Sequence, residues 1–221
     1  MTSTSKKQNG TITGGTTGQV TTKSGKGASH GVVTELSAYF TVKPGHENEL
    51  RAAALRFGGM LLKSDPKDVQ RTGLRDARFV IFNDGRQLLF GSSFETDWDP
   101  YIDDAIDVVG AEHFVDWMQH TVEAEKVVAY IESLGGVKKF DKKDPAYNES
   151  LKRTSAVVKE VIQSVQSPAV AYFNALSSLT IPQIKKAQHV DEAFQRVLDN
   201  PTAQEALKHP AMKPLLEQAA D

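Results

Sequence analysis

The sequence predicts an α+β fold: an antiparallel sheet in βαββαβ order, helices on one of its faces, and further helices at the C-terminal end. Three observations carry that expectation. Residues 73–94 hold two runs rich in aromatic and β-branched side chains on either side of Asn83-Asp84-Gly85, the residue pattern of a tight β-hairpin. Ahead of it, Leu36, Ala38, Phe40 and Val42 alternate with Ser37, Tyr39, Thr41 and Lys43, as in a strand with one buried side. After it, apolar residues recur at three- and four-residue spacing, the helical period.

Composition narrows the function classes. The chain has 221 residues, 39% of them hydrophobic and 24% charged, with a formal net charge of −2. That is long enough for a sizeable core. The near-neutral balance argues against nucleic acid or an anionic membrane as partner. The lack of cysteine excludes disulfides, a thiolate nucleophile and Cys-ligated metal, and it suits a cytoplasmic setting. No apolar run approaches the roughly 18 residues of a membrane span, and the N-terminal lysines precede no apolar stretch of the signal-peptide kind.

Taken in order, residues 1–31 are dominated by Thr, Ser, Gly, Lys, Gln and Asn, the composition of a disordered polar tail. Order is expected from Val32 through the first strand to a turn at Pro44-Gly45. A helix from about Glu47 sets Leu50, Ala53, Ala54, Phe57 and Leu61 on one side and frays or ends at Gly58-Gly59; residues 63–72 form a polar loop. In the hairpin, Asp84 and Gly85 at the tip pair Phe82 with Gln87, Ile81 with Leu88, Phe79 with Phe90 and Arg78 with Gly91. One side of the sheet then carries Ala77, Phe79, Ile81, Leu88, Phe90 and Phe94, and the other mixes Val80, Phe82 and Leu89 with Asp76, Arg78 and Ser93.

Asp99 and Pro100 open a helix as cap and first residue, with Ile102, Ala105, Ile106 and Val109 buried and Gly110 as its stop. A second helix puts Phe114, Trp117, Met118 and Thr121 inward and runs toward Leu134. Gly135-Gly136 and Lys138–Asp144 read as a linker, and Leu151, Val158, Val161, Ile162 and Val165 as an amphipathic helix broken by Pro168. Ala169–Leu176, short, apolar and aromatic, is expected as the fourth strand. A helix from Thr180 to Leu198 and two short helices punctuated by Asn200-Pro201 and His209-Pro210 complete the chain. The expected organisation is a tail over 1–31, an α+β domain over 32–198 with a helical insertion at about 123–167, and a helical appendage over 199–221.

This order is the split βαβ pattern of the ferredoxin-like fold. Its helices cover one face of the sheet, and two copies meeting on the other face close into a barrel with a central pocket. Phe-Thr-Val-Lys-Pro-Gly-His-Glu-Asn-Glu-Leu-Arg at 40–51, Ala-Arg-Phe-Val-Ile at 77–81 and Leu-Leu-Phe-Gly-Ser-Ser-Phe at 88–94 resemble the dimeric α+β barrel superfamily. The opening of strand, Lys-Pro-Gly and helix is similar to antibiotic-biosynthesis monooxygenases and their stress-responsive relatives. The resemblance implies a homodimer that binds, and as an oxidoreductase acts on, a small apolar or aromatic molecule. The same superfamily includes dye-decolourising peroxidases and chlorite dismutases, so haem stands as the alternative to having no cofactor. The Gly-x-x-Asp-Gly signature of haem peroxidases is not found, and the insertion at 123–167 departs from the small monooxygenase-like members. A non-catalytic binding or assembly protein, using the sheet face as a dimer interface, is the competing expectation.

The candidate ligand-binding set is Tyr39, Asp76, Arg78 and Ser93 on the mixed face, with Tyr172 and Asn174 of the expected fourth strand. The planar fork of Arg78 suits a carboxylate, a phenolate or a haem propionate, and it equally suits a pair with Asp76 or with a partner subunit. No catalytic residue is assigned. His113, Asp116, His120 and Glu123 share a helix face by spacing and are metal-ligating types. Two histidines seven residues apart on a helix lie about 10 Å apart, however, so a solvated face and no metal site are expected. His120 alone as an axial haem ligand is the alternative. The acids Asp97, Asp99, Asp103 and Asp104 suit a helix start, and His46 an exposed one.

Overall fold

The computed structural model describes residues 27–133, 135 and 147–219, and the chain divides into two compact units after Ser178. The first unit is α+β. Its strands are β1 (Ser29–His30), β2 (Val33–Thr41), β3 (Leu74–Phe82) and β4 (Gln87–Phe94), antiparallel throughout in the order β1-β2-β4-β3. Its helices are α1 (Glu47–Lys63), α2 (Pro66–Arg71), α3 (Trp98–Val109), α4 (Ala111–Met118), α5 (Glu125–Ser133) and α6 (Tyr147–Val165).

The hairpin has the register its sequence predicts, with Phe82 facing Gln87, Ile81 facing Leu88, Phe79 facing Phe90 and Arg78 facing Gly91. Asn83, Asp84 and Gly85 all take positive φ, and the Arg86 N–H closes the turn on the Asn83 carbonyl at 3.1 Å. Such a turn twists in the sense of the strands it joins, and Asn, Asp and Gly tolerate it best. Alternation then sorts the side chains. Leu36, Ala38, Phe40, Leu88, Phe90 and Phe94 are buried under the helices. Phe79 and Phe90 meet Phe57 of α1 and Phe114 and Trp117 of α4, with ring centroids between 5.0 and 6.5 Å and edge-on or tilted planes. Phe94 stacks on Tyr101 of α3 at 4.0 Å.

Four helical expectations need correction. The first helix does not end at Gly58-Gly59 but runs to Lys63, because the Leu50, Ala53 and Phe57 stripe on the core anchors it. Within 63–72 lies α2, started by Pro66 and by the Asp65 carboxylate, which accepts the Lys67 N–H at 2.8 Å. α3 begins at Trp98, so Asp97 rather than Asp99 holds the cap position, since burying the Trp98 indole extends the helix backward. The helix from Phe114 toward Leu134 is broken after Met118. There the Val122 N–H donates to the Thr41 carbonyl at 2.9 Å and Thr121 bridges to Val42, so strand-like contacts replace a helical turn.

The fourth strand is the larger correction. Ala169–Leu176 is neither strand nor helix, and Val170 and Phe173 lie exposed. Pro168 lacks the N–H a ladder needs, and the outer edge of β2 is already taken. β1 pairs with Val33 and Thr34, while Gln166 bridges to Ala38 and the Ser167 N–H donates to the Ser37 carbonyl at 2.9 Å. Two short fragments thus stand where one strand is expected. Since β1 is part of the sheet, regular structure begins ahead of Val32; residues 1–26 of the expected tail, and the Lys138–Asp144 linker, lie outside the described residues. α6 closes the far side of the unit, its Val158, Val161 and Ile162 buried and Lys159 paired with Asp99 and Asp103 of α3 at 3.3 and 2.7 Å.

The second unit is helical: α7 (Ile181–Leu198), α8 (Gln204–Leu207) and α9 (Lys213–Ala219), with single 3₁₀ turns at Pro201–Ala203 and Pro210–Met212. Thr180 and Gln183 form a capping box at the start of α7. The expected boundary after residue 198 and the observed division after Ser178 differ because α7 buries no residue and packs on the 3₁₀ turn that follows it.

Gly59 sits inside α1 with nothing within 4 Å of where a Cβ would be. Gly59→Ala is therefore expected to stabilise the protein by about 1 kcal/mol, the helix-propensity difference, measured as an increased urea midpoint.

Candidate functional site

The uncovered face of the sheet is built from four cross-strand rows. They are Glu35–Ser93–Asp76, Ser37–Gly91–Arg78, Tyr39–Leu89–Val80 and Thr41–Gln87–Phe82, each running β2 to β4 to β3. The last two rows are open and carry the exposed large side chains of the face: Tyr39 is 45% exposed, Val80 42% and Phe82 37%. Exposed large side chains placed side by side on a sheet make this face the candidate binding surface.

Arg78 lies across the middle of this face. A Cβ on Gly91 would fall 3.2 Å from its guanidinium carbon, so the glycine gives the side chain room to lie flat. Its Nη1 donates to the Asp76 carboxylate at 2.9 Å, both groups half exposed.

The remaining end of the face is closed by the chain after α6. From Gln166 at the β2 edge, the segment passes the first row, where the Glu35 carboxylate accepts the Ala169 N–H at 2.9 Å. It reaches Arg75 of β3, which donates to Asn174 Oδ1 at 3.4 Å and to the Leu176 carbonyl at 3.2 Å. It then returns to β1 and β2, the Asn174 N–H donating to His30 Nδ1 at 3.1 Å and the Val32 N–H to the Ser177 carbonyl at 2.8 Å. Two buried charges hold this crossing. Glu35 also accepts from the Ala28 N–H at 3.1 Å and from the Ser37 hydroxyl at 2.7 Å, and Arg75 pairs with Glu95 at 2.7 Å. A buried charge with this many partners orders the segments that supply them.

The predicted ligand-binding residues are accordingly divided. Tyr39, Asp76 and Arg78 share the open part of the face. Ser93 is buried at the closed end beside Asp76. Tyr172 lies in the crossing segment, its hydroxyl buried without a hydrogen-bond partner among the described residues, and Asn174 fastens that segment to Arg75, His30 and the Leu176 N–H. The residues missed from sequence are Glu35 and Arg75. An acid in a half-buried strand and an arginine at a β-bulge between Leu74 and Asp76 are the signals that mark them.

The polar helix face is dispersed because α4 stops at Met118. Asp116 forms a two-pronged pair with Arg56 at 2.8 and 2.9 Å, and Glu123 accepts the Thr41 N–H through both oxygens. His120 meets His46 at the start of α1, Nδ1 to Nδ1, at 2.9 Å. Among the described residues no group of three or more His, Asp or Glu is placed to hold a metal ion. Tyr101, behind the sheet, is pushed by burial up to about 12, which keeps its phenol neutral.

In the His46–His120 contact one nitrogen must donate and the other accept, so the pair is made for a single proton. Burial, and then the neighbouring His46, hold the His120 imidazole below the usual histidine value, against the pull of Asp116 and Glu49 and with a small push from Arg56. A folded-state value below the unfolded one means that the folded protein binds fewer protons. The resulting stability is complete above about pH 6.5, the unfolded value, and is lost as the pH falls from there through the folded value. Urea midpoints measured from about pH 7.5 down to about 5.5 should therefore decline in the parent, and His120→Gln should flatten the decline. An equal slope in both proteins would acquit the pair.

Comparison with known protein families, with curated proteins and with solved structures finds no match to this chain.

Proposed function

We propose that this chain is a self-associating binding protein, in which the open sheet face of one copy stacks on that of a second. The observation that carries this is the exposed patch of Tyr39, Val80 and Phe82 on a sheet whose other face carries the core. Support comes also from the charges beside it. Asp76 and Arg78 are neighbours, so in a two-fold contact each guanidinium reaches the partner's Asp76 while its own carboxylate meets the partner's Arg78. The patch is thus complementary to itself.

The strand order supports the ferredoxin-like version of this reading. β2, β4 and β3 with α1 between β2 and β3 follow that pattern, and β1 with Gln166 occupies the place of its fourth strand. Two such units face to face make the dimeric α+β barrel that the sequence resembles. Between them, the Tyr39 ring and the flat Arg78 guanidinium offer an aromatic wall and an anion-binding fork, which suits a small aromatic carboxylate or phenolate.

Size-exclusion chromatography with light scattering should return twice the chain mass of 24.2 kDa. Tyr39→Asp combined with Val80→Asp should return a monomer, while Leu62→Asp, at an exposed site on α1, should leave the dimer intact. A parent protein that is monomeric at about 100 μM, well above the Kd of stable interfaces, would overturn the proposal.

A further inference from the structure

We propose that the groove between α1 and the free edge of β3 accepts an extended acidic peptide, which joins the sheet as a further strand beyond β3. The site is separate from the open face and does not rest on self-association. β3 ends the strand order, so among the described residues one side of its backbone has no strand beside it. A groove of about 300 Å³ runs along that side, walled by Leu55, Phe57 and Leu61 of α1 and floored by Phe79 and Ile81. Arg78 borders it as well, although Arg78 and Phe79 point to opposite faces of the sheet. With the Arg78 side chain lying over Gly91 on the other face, residues of both phases can line one groove only if the backbone of the strand edge opens into it.

That geometry selects the occupant. An alkyl chain or a flat apolar molecule lying here would strip water from the edge N–H and carbonyl groups and return no hydrogen bond. A second β-strand replaces those bonds and sends alternate side chains under α1. The groove is also basic at its rim. Arg51 has no ion pair among the described residues, so a carboxylate-bearing partner is complementary and a lysine-rich one is not. Gly58, bordering the groove from within α1, is consistent with this. A Cβ there would meet nothing within 4 Å, so no contact within the protein calls for a glycine, and its absence of a side chain keeps the groove clear.

The test is selection of a phage-displayed random dodecapeptide library on the full chain, followed by amide hydrogen exchange with a selected peptide. Enriched sequences should alternate apolar and other residues and carry an excess of Asp and Glu. The bound peptide should slow exchange at residues 77–82, bind Arg51→Glu about tenfold more weakly, and fail on Gly58→Phe, whose ring fills the groove. Gly58→Ala should bind like the parent and melt higher, showing that the helix tolerates the position. The proposal is overturned by an absence of enrichment, by basic consensus sequences, by binding that Arg51→Glu leaves unchanged, or by protection on the Tyr39 face instead. Dodecanoate displacing the selected peptide would also overturn it, in favour of an amphiphile site. So would concentration-dependent protection of 77–82 without peptide, in favour of edge pairing between two copies.

Discussion

The first unit depends on one aromatic layer. Phe79 and Phe90 enter it from the hairpin, Phe57 from α1, and Phe114 and Trp117 from α4, and each ring touches rings from another element. Aromatic pairs of this kind add about 0.5–1.5 kcal/mol each beyond the area they bury. The cluster therefore fixes which face of the sheet is inside, and a one-residue slip of β3 against β4 would send Phe79 and Ile81 to the wrong side. Everything on the outer face inherits its position from that register. The order Glu35–Ser93–Asp76 to Thr41–Gln87–Phe82 is the inner alternation seen from behind.

A sheet so anchored still has two edges and a second face to satisfy, and the chain treats them unequally. At the β2 edge, β1 and Gln166-Ser167 use the free backbone groups, and Glu35 ties both fragments down through the N–H groups of Ala28 and Ala169. Arg75 does the same at the opposite side, joining Glu95 on one hand and the Asn174–Leu176 turn on the other. These are charges 10% exposed or less, and removing one partner of such an arrangement leaves the other desolvated and unpaired. The crossing segment is therefore a fixed part of the fold, although it carries no regular structure.

What the sequence makes legible follows from how local each signal is. The hairpin register is readable because Asn83-Asp84-Gly85 allows one tight turn and the flanking alternation agrees with it. The buried stripes of α1, α3 and α4 are readable because three- and four-residue spacing suffices to define a helix face. Ala169–Leu176 is misleading for the opposite reason. Its composition is strand-like, but whether it pairs depends on whether the β2 edge is vacant, which depends on Ser29-His30, some 140 positions earlier. Asn174 is misassigned to a ligand site on the same ground, since its side chain answers to Arg75 and not to the alternation of a strand. The dispersed face of His113, Asp116, His120 and Glu123 fails similarly. Nothing within residues 111–123 announces that Thr41 and Val42 will draw Thr121, Val122 and Glu123 out of the helix.

The two surfaces left over differ in chemistry, and that difference separates their occupants. The open face is side chains only, because the backbone polar groups of a strand lie in the plane of the sheet and not on its face. Its exposed Tyr39, Val80 and Phe82 and the adjacent Arg78–Asp76 pair are the side chains that the proposed stacking of two copies would match. The β3 edge offers backbone donors and acceptors beside an apolar wall and Arg51, which has no ion pair among the described residues, and a flat apolar face cannot meet those needs. Closing the β2 edge with fragments of the same chain while leaving the β3 edge open makes the sheet asymmetric. The proposed strand addition uses the β3 edge and the proposed stacking uses the Tyr39 face, so the two would not compete for the same backbone atoms.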